Sequence, residues 1–209
     1  MDINVKKEIL EHLNIIQNLI NEAPVTKSDE QDTRQPREIA LKDMPQGSVF
    51  VFKDKEFIKL GEEQGGVLCI TRDFWGKEQE FGEDANYKTS KIKDLLEKEF
   101  WDNKEDKAIL NYTMDLTSNN GDDVLGSYTS NIGLLTCDLY RKYYKVIPRY
   151  TKDWWWTCTP WGYSTSAGRV YFVSTSGALG DLNAVDSGGV VPACILDGQT
   201  LISCDSNYK

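Results

Sequence analysis

Residues 153–162, DWWWTCTPWG, constrain the fold more than any other stretch, because they hold four of the six tryptophans in the chain. Successive side chains of a β-strand point to opposite faces, so an extended segment places Trp154 and Trp156 on one face and Trp155 on the other. An indole brings a large apolar area and a ring N–H that needs a partner when buried. We therefore predict a strand with one face in the core, whose other face is either surface or a packing layer between elements.

Strands are also predicted on both sides of this stretch. Residues 168–196 are small, polar and β-branched, with Ser-Gly, Leu-Gly and Gly-Gly pairs that are typical of turns between short strands. Near the other end of the chain, three strand-like runs at residues 49–53, 57–60 and 67–71 predict an antiparallel meander.

Two helices are predicted between the strand regions. The first opens on Thr89 or Ser90 and continues as SKIKDLLEKEFW, with its apolar residues on one side. The second begins near Thr136 and is limited by Pro148. Between them, AILNYTMDLT indicates a strand and SNNGDDVLGS an exposed loop. The predicted fold class is α+β.

The N-terminal region is predicted to be separate from this domain. Residues 1–22 have apolar residues at 4-3-4 spacing and predict an amphipathic helix, which either packs on its own domain or serves oligomerisation. Residues 23–38 are polar, with two prolines, and indicate a linker. Residues 39–209 form the predicted folded domain.

The charge balance excludes several classes of partner. The net charge of −9 and the absence of a long basic run argue against nucleic acid, whose binding needs clustered Lys and Arg. Neither a signal peptide nor about 18 consecutive apolar residues occurs, so no membrane insertion is expected. We expect a soluble protein that is cytoplasmic when synthesised.

The inventory of reactive residues is equally restrictive. The one histidine, His12, lies in the predicted N-terminal helix, which argues against Ser-His-Asp, Cys-His and His-ligated metal chemistry in the domain. No phosphate-loop motif occurs, and no cofactor is predicted. Oxygen ligands for calcium are available in the loop NNGDDVLGS and at Asp181 and Asp186, but without EF-hand spacing a solvated turn is favoured, and no metal site is predicted. The five cysteines lack a C-x-x-C pair and indicate reduced, buried thiols.

The order of LLTCDLYRKY, IPRY, WWWTCTPWG, GRVYFVSTSG and GGVVPACIL resembles a family of uncharacterised phage and gut-bacterial proteins. Members end in an aromatic W-W segment with Thr-Pro or Ser-Pro, a V-x-x-V strand, a Ser-Gly or Asp-Gly turn and a closing Val-Arg-Pro-Ala. The resemblance spans about residues 39–204, and this chain has Val191 in place of the closing arginine.

Members of that family resemble the C-type-lectin-like fold shared by the formylglycine-generating enzymes and the variable proteins of diversity-generating retroelements. In the variable proteins a rigid scaffold displays a C-terminal segment that is rewritten by adenine-directed mutagenesis. The resemblance implies a non-enzymatic binding protein that recognises a protein or glycan on a host surface. It also implies carriage on a phage particle or prophage, or export without a signal peptide, with residues 3–22 joining copies into a homo-oligomer.

The composition of residues 153–198 agrees with that implication. Mutated AAY codons never encode Lys, Glu, Gln, Met or Trp. Lys, Glu, Gln and Met are all absent from residues 153–198, and no Trp follows Trp161. Strand-rich sequence is poor in these residues in any case.

By position, the resemblance divides the segment into scaffold and displayed residues. The scaffold residues are Val170, Val173, Gly177, Leu179, Ala184, Val190 and Pro192. The displayed residues, our candidate ligand-binding set, are Trp161, Tyr163, Ser166, Arg169, Tyr171, Ala178, Asp181, Asn183, Val185 and Asp186.

Two alternatives stay open. A formylglycine-generating type of enzyme would place a reactive Cys158 or Cys194 in a deep pocket, although neither has an adjacent base in the sequence. A structural phage protein without a ligand would keep its C-terminal segment invariant. The E-P-N motif of calcium-dependent sugar-binding lectins is absent, so the fold resemblance does not imply that activity.

Overall fold

The computed structural model describes residues 37–204. The predicted N-terminal helix with His12, and the predicted linker up to residue 36, lie outside the described residues. Arg37 and Glu38, which we assigned to the linker, instead begin the first strand.

The described residues form an α+β domain in which the strands pair mostly in antiparallel fashion, as predicted. Two helices accompany the strands: α1 (Lys91–Glu99) and α2 (Cys137–Tyr143). The strands are β1 (Arg37–Ala40), β2 (Val49–Phe52), β3 (Lys55–Glu63), β4 (Gly66–Thr71), β5 (Gln79–Glu80), β6 (Ile109–Leu110), β7 (Tyr112–Asp115), β8 (Ser127–Ser130), β9 (Trp155–Pro160), β10 (Arg169–Val173), β11 (Leu179–Asn183), β12 (Ser187–Gly188), β13 (Ala193–Leu196) and β14 (Leu201–Cys204).

The largest sheet has five antiparallel strands in the order β2-β3-β4-β13-β6. Its first three strands are the predicted meander, with β3 longer than expected. Strand β13 comes from the far end of the chain and pairs with β4, so that Ala193 lies opposite Ile70. Every residue of β4 and β13 is buried, which explains why both strands are almost uniformly apolar.

One cation lies inside this region. Lys59 of β3 is buried, and its Nζ donates hydrogen bonds to the carbonyl oxygens of Leu41, Lys42 and Met44 at 2.9, 2.5 and 2.6 Å. These carbonyls belong to the short helical turn after β1 and to the residue that follows it. The ammonium group therefore ties that turn to the central sheet.

Both predicted helices are present with their predicted caps. Ser90 Oγ accepts the Lys93 amide at 3.1 Å, and Thr136 Oγ1 accepts the Leu139 amide at 3.1 Å. Each hydroxyl satisfies a backbone N–H that has no partner within the helix. Neither α1 nor α2 is long enough to cross a bilayer, and no other helix among residues 37–204 has that length and apolarity.

The tryptophan stretch forms β9, which belongs to a three-stranded sheet in the order β11-β10-β9. The rings of Trp154 and Trp156 meet edge to face at 4.6 Å, whereas Trp155 meets Tyr140 on α2 edge to face at 5.7 Å. The predicted alternation is thus confirmed. All six residues of β9 are buried, so the second face is a packing layer and not a surface.

The loop SNNGDDVLGS is mostly exposed, as predicted: seven of its ten residues are exposed. Its first residue, Ser118, and its apolar residue Leu125 are nevertheless buried. The Asn119 amide donates to the Pro160 carbonyl at 3.3 Å, so the loop is attached to the end of β9.

Candidate ligand-binding surface

The residues that we predicted as scaffold and as displayed differ in burial. Five of the seven scaffold residues are buried, and the other two, Gly177 and Leu179, are half-buried. Among the ten displayed residues none is buried.

Five of the ten displayed residues lie together on one face of the β9-β10-β11 sheet. Arg169 and Tyr171 of β10 lie opposite Asn183 and Asp181 of β11, and cross-strand partners share a face. The Trp161 amide donates to the Arg169 carbonyl at 2.9 Å, which continues the β9-β10 pairing by one residue. Trp161 is 40% exposed. We call these five residues (Trp161, Arg169, Tyr171, Asp181 and Asn183) the hairpin face.

The opposite side of the hairpin is packed. The ring of Phe172 meets that of Trp154 at 5.1 Å and lies over Gly180, where an added Cβ would come within 2.7 Å of it. Val170 is fully buried. These contacts fix the strands that carry the hairpin face, because the aromatic layer leaves no space for them to tilt.

The polar groups of the hairpin face pair with one another. Arg169 Nε donates to the Asp181 carboxylate, and its Nη2 donates to the Asp181 carbonyl at 3.0 Å. These bonds span the two strands and hold the guanidinium in a defined orientation. The face is therefore electrostatically balanced at its centre.

Tyr171 connects the hairpin face to two residues that the sequence did not suggest. Its hydroxyl accepts a hydrogen bond from Asn119 Nδ2 at 3.0 Å, and Asn119 Oδ1 accepts one from Arg141 Nη2 at 2.8 Å. Desolvation raises the pKa of the Tyr171 hydroxyl, which stays protonated at neutral pH. The turn signal Asn-Asn-Gly marked the loop that contains Asn119, but its proximity to β10 follows only from the fold.

The same loop holds the backbone beyond Trp161. Ser118 Oγ accepts the Tyr163 amide at 3.1 Å, and the Asp122 carboxylate accepts the Ser164 amide at 2.6 Å. Hydrogen bonds from the Ser164 side chain and backbone lower the pKa of the Asp122 carboxyl. The segment between β9 and β10 is thus anchored at two consecutive amides.

The other five displayed residues lie off the hairpin face. The Tyr163 hydroxyl donates to Asp84 Oδ2 at 3.0 Å, a bond that raises the pKa of Tyr163 and occupies its polar end. Ser166 belongs to the turn before β10, and Val185 and Asp186 to the turn after β11. Ala178 is at the opposite tip of the hairpin, about 16 Å along the strands from Asn183. The structure therefore does not gather all ten residues into one patch.

The thiols that an enzyme of the alternative class would need are inaccessible. Cys158 and Cys194 are fully buried, and burial raises the pKa of both thiols. Cys69 and Cys137 are buried as well, in agreement with the predicted reduced thiols. No group of three or more His, Cys, Asp or Glu side chains within residues 37–204 is arranged to hold a metal ion.

The surface depressions lie elsewhere. One is lined by Gln64, Thr113, Asp115, Thr117, Asp123, Gly126 and Ser127. A second lies around the β3-β4 turn and Gly198. Neither of these two depressions contains a displayed residue.

Comparison with known proteins adds one match. Residues 136–198, from the start of α2 through β13, match a family described as a domain of unknown function (DUF6273). No curated protein and no solved structure matches the chain.

Proposed function

We propose that this protein is a non-enzymatic binding protein whose C-type-lectin-like domain presents the hairpin face to a protein or glycan on a target surface. The proposal depends chiefly on one observation: Trp161, Arg169, Tyr171, Asp181 and Asn183 project from one face of a sheet whose other face is packed. In this respect the domain resembles the variable proteins of diversity-generating retroelements.

The physical character of the face favours recognition. A rigid aromatic ring gives contact area at little entropic cost, and neighbouring polar groups give adaptable hydrogen bonds. A sheet holds such groups more firmly than a free loop does. Solvent-facing substitutions on a packed scaffold usually change stability by less than about 0.5 kcal/mol, so this face can vary while the fold is kept.

The locus that encodes the chain provides the decisive test of diversification. We expect a near-repeat of the codons for residues 161–186 that differs at adenines, close to a reverse transcriptase gene. A locus without a repeat, together with an invariant segment in closely related genomes, would contradict the proposal and favour a structural phage protein.

A library experiment tests the scaffold directly. We would randomise the five hairpin-face positions in one library and five buried scaffold positions (Val170, Val173, Ala184, Val190 and Pro192) in a matched one, and score folding by protease resistance. Most members of the first library should fold, and most of the second should not. Equal loss of folding in both libraries would show that the face is structural.

Cysteine alkylation separates this proposal from the enzyme alternative. Because Cys158 and Cys194 are buried with raised pKa values, iodoacetamide should modify neither in the native protein at neutral pH, and both after unfolding. Rapid native alkylation of either cysteine, located by peptide mapping, would favour the enzyme.

Oligomerisation through residues 3–22 would add avidity to weak single-site contacts. Light scattering on the full chain and on a chain without residues 1–35 tests it. The full chain should have the larger mass per particle, and a monomeric mass for both would refute the oligomer.

A further inference from the structure

A second exposed surface differs sharply in charge from the rest of the molecule. Between Asp138 and Asp153 the chain has five basic residues and no acidic residue, although its net charge is −9. All five are exposed. They form what we call the basic strip: Arg141, Lys142, Lys145, Arg149 and Lys152.

The fold directs these cations outward. Tyr140, Tyr143, Ile147 and Tyr150, which alternate with them, are all buried. Because the apolar residues fix the backbone of α2 and the segment after it, the charged side chains between them face solvent. The interleaving also explains why the cations do not form a continuous basic run in the sequence.

Three of the five cations lack an acidic partner. Arg141 pairs with Asp138 and Lys142 with Glu63. Across residues 37–204, no carboxylate lies within ion-pair distance of Lys145, Arg149 or Lys152. Exposed cations without acidic partners, within a segment that has no acidic residue, produce a local positive potential.

Arg149 is held in position. Its Nη2 donates to the Tyr144 hydroxyl at 2.6 Å, and its guanidinium carbon lies 5.3 Å from the centre of the Tyr144 ring. On its other side is Gly177, where an added Cβ would lie 2.2 Å from Arg149 Nη1. Tyr144 is itself 45% exposed. The strip therefore contains an oriented guanidinium group, that of Arg149, beside the exposed ring of Tyr144. The N–H donors of a guanidinium suit the two oxygens of a carboxylate.

We propose that the basic strip docks an acidic polypeptide segment of a partner protein. Separated carboxylates on an extended chain can follow cations spaced from Arg141 to Lys152. A nucleic acid or an anionic bilayer would instead bring dense negative charge against the acidic remainder of this protein, and repulsion opposes that approach. No residue of the strip belongs to the hairpin face, although Arg141 is linked to Tyr171 of that face through Asn119. The proposal does not depend on the function proposed for that face.

The test uses a fluorescent peptide that alternates Glu and Gly, with a Gln-Gly peptide as control, and the full chain at low and high salt. The variant K145Q/R149Q/K152Q should bind the Glu-Gly peptide about tenfold more weakly than the wild type. The matched variant K77Q/K104Q/K107Q, which has the same net charge with exposed lysines changed elsewhere, should bind as the wild type does. Binding should weaken in high salt.

Several results would overturn the proposal. One is equal loss of binding in both triple variants, which would show a response to net charge only. Others are equal binding of the two peptides, no binding by the wild type at low salt, or binding of duplex DNA or anionic vesicles without binding of the Glu-Gly peptide. Because removal of Arg149 affects the hairpin tip, K145Q/K152Q serves as a second variant and should show an intermediate loss.

Discussion

Strands β9 and β11 belong to the same sheet, on either side of β10, yet they differ completely in burial. All six residues of β9 are buried, between α2 on one face and the Trp154 and Phe81 rings on the other. In β11 no residue is buried. Both are outer strands of the sheet, but β9 is covered by the rest of the domain and β11 is not.

The difference teaches that antiparallel pairing with the same neighbour does not give two strands the same role. In β9 the side chains determine stability, because buried side chains fill the space of the core. In β11 the backbone pairing with β10 and a few side-chain bonds keep the strand in place, and its outward side chains are available for the recognition that we propose. The predictions that follow test this contrast, beginning with the largest expected effect.

Truncation of two tryptophans of the stretch should have very different effects on stability. Trp156→Ala removes a fully buried ring and the Nε1–H bond to the Gln79 carbonyl at 3.0 Å, and should cost about 3–5 kcal/mol in the free energy of unfolding. Trp161→Ala should change it by less than about 0.5 kcal/mol. Urea denaturation of the two variants measures both values. Similar values would refute the contrast.

Replacing a cationic residue should lower stability much more in the central sheet than on the hairpin face. Lys59→Met removes the ammonium donor from the carbonyl groups of Leu41, Lys42 and Met44, in two buried hydrogen bonds and one partly buried one. It should destabilise the domain by about 2–3 kcal/mol. Arg169→Met breaks the partly exposed pair with Asp181 and should cost less than about 1 kcal/mol. Thermal unfolding of both variants gives the comparison, and a larger effect of Arg169→Met would reverse our interpretation.

Two glycines with the same backbone angle separate strain from contact. Gly65 in the β3-β4 turn and Gly177 in the β10-β11 turn both have a φ of +82°, but of the two only Gly177 has neighbours that an added Cβ would meet: Arg149 Nη1 at 2.2 Å and the Tyr140 hydroxyl at 3.1 Å. Gly65→Ala should cost about 1 kcal/mol from strain, and Gly177→Ala about 2 kcal/mol.

The Arg149→Ala background is the control for the glycine pair. There the difference between the two alanine substitutions should shrink, because only the Tyr140 hydroxyl remains close to a Cβ at position 177. A double-mutant cycle from denaturation curves measures it, and an undiminished difference would assign it to another cause.

The smallest expected effect is local and depends on pH. Because hydrogen bonds from Ser164 lower the pKa of Asp122 in the folded state, their contribution is present above the ordinary value of 3.8 and is lost as the pH falls through the lowered pKa. The Ser164 amide signal in NMR spectra should therefore titrate with a midpoint below 3.8. Asp122→Asn should abolish the titration, and a midpoint above 3.8 would contradict the bond.

Much of the fold was accessible from local sequence patterns. The meander, both helix caps and the alternation of the three tryptophans depend on residues close together in the chain, and the structure confirms them. The errors concern contacts between distant segments. The loop after Thr117 is mostly exposed, as predicted, but nothing in its polar composition reveals that Ser118 and Leu125 are buried or that Asn119 bonds to the end of β9.

The candidate surface could be predicted from the sequence only in part. The sequence pattern separated outward from inward residues in β10 and β11, but it grouped Ala178 and Tyr163 with the face, although one lies at the far tip and the other bonds to Asp84. It also missed Asn119 and Arg141, which come to Tyr171 from separate elements.

The sequence by itself determined the approximate positions of both helices and of the meander strands, which side chains alternate and which chemistries lack their residues. Those properties follow from backbone sterics and from the spacing of apolar groups over a few residues. Only the tertiary structure decided that β13 pairs with β4, that both faces of β9 are covered, and that Arg149, which has no acidic partner among residues 37–204, lies beside the hairpin tip. Such contacts join residues far apart in the chain, and their geometry depends on how the whole core packs.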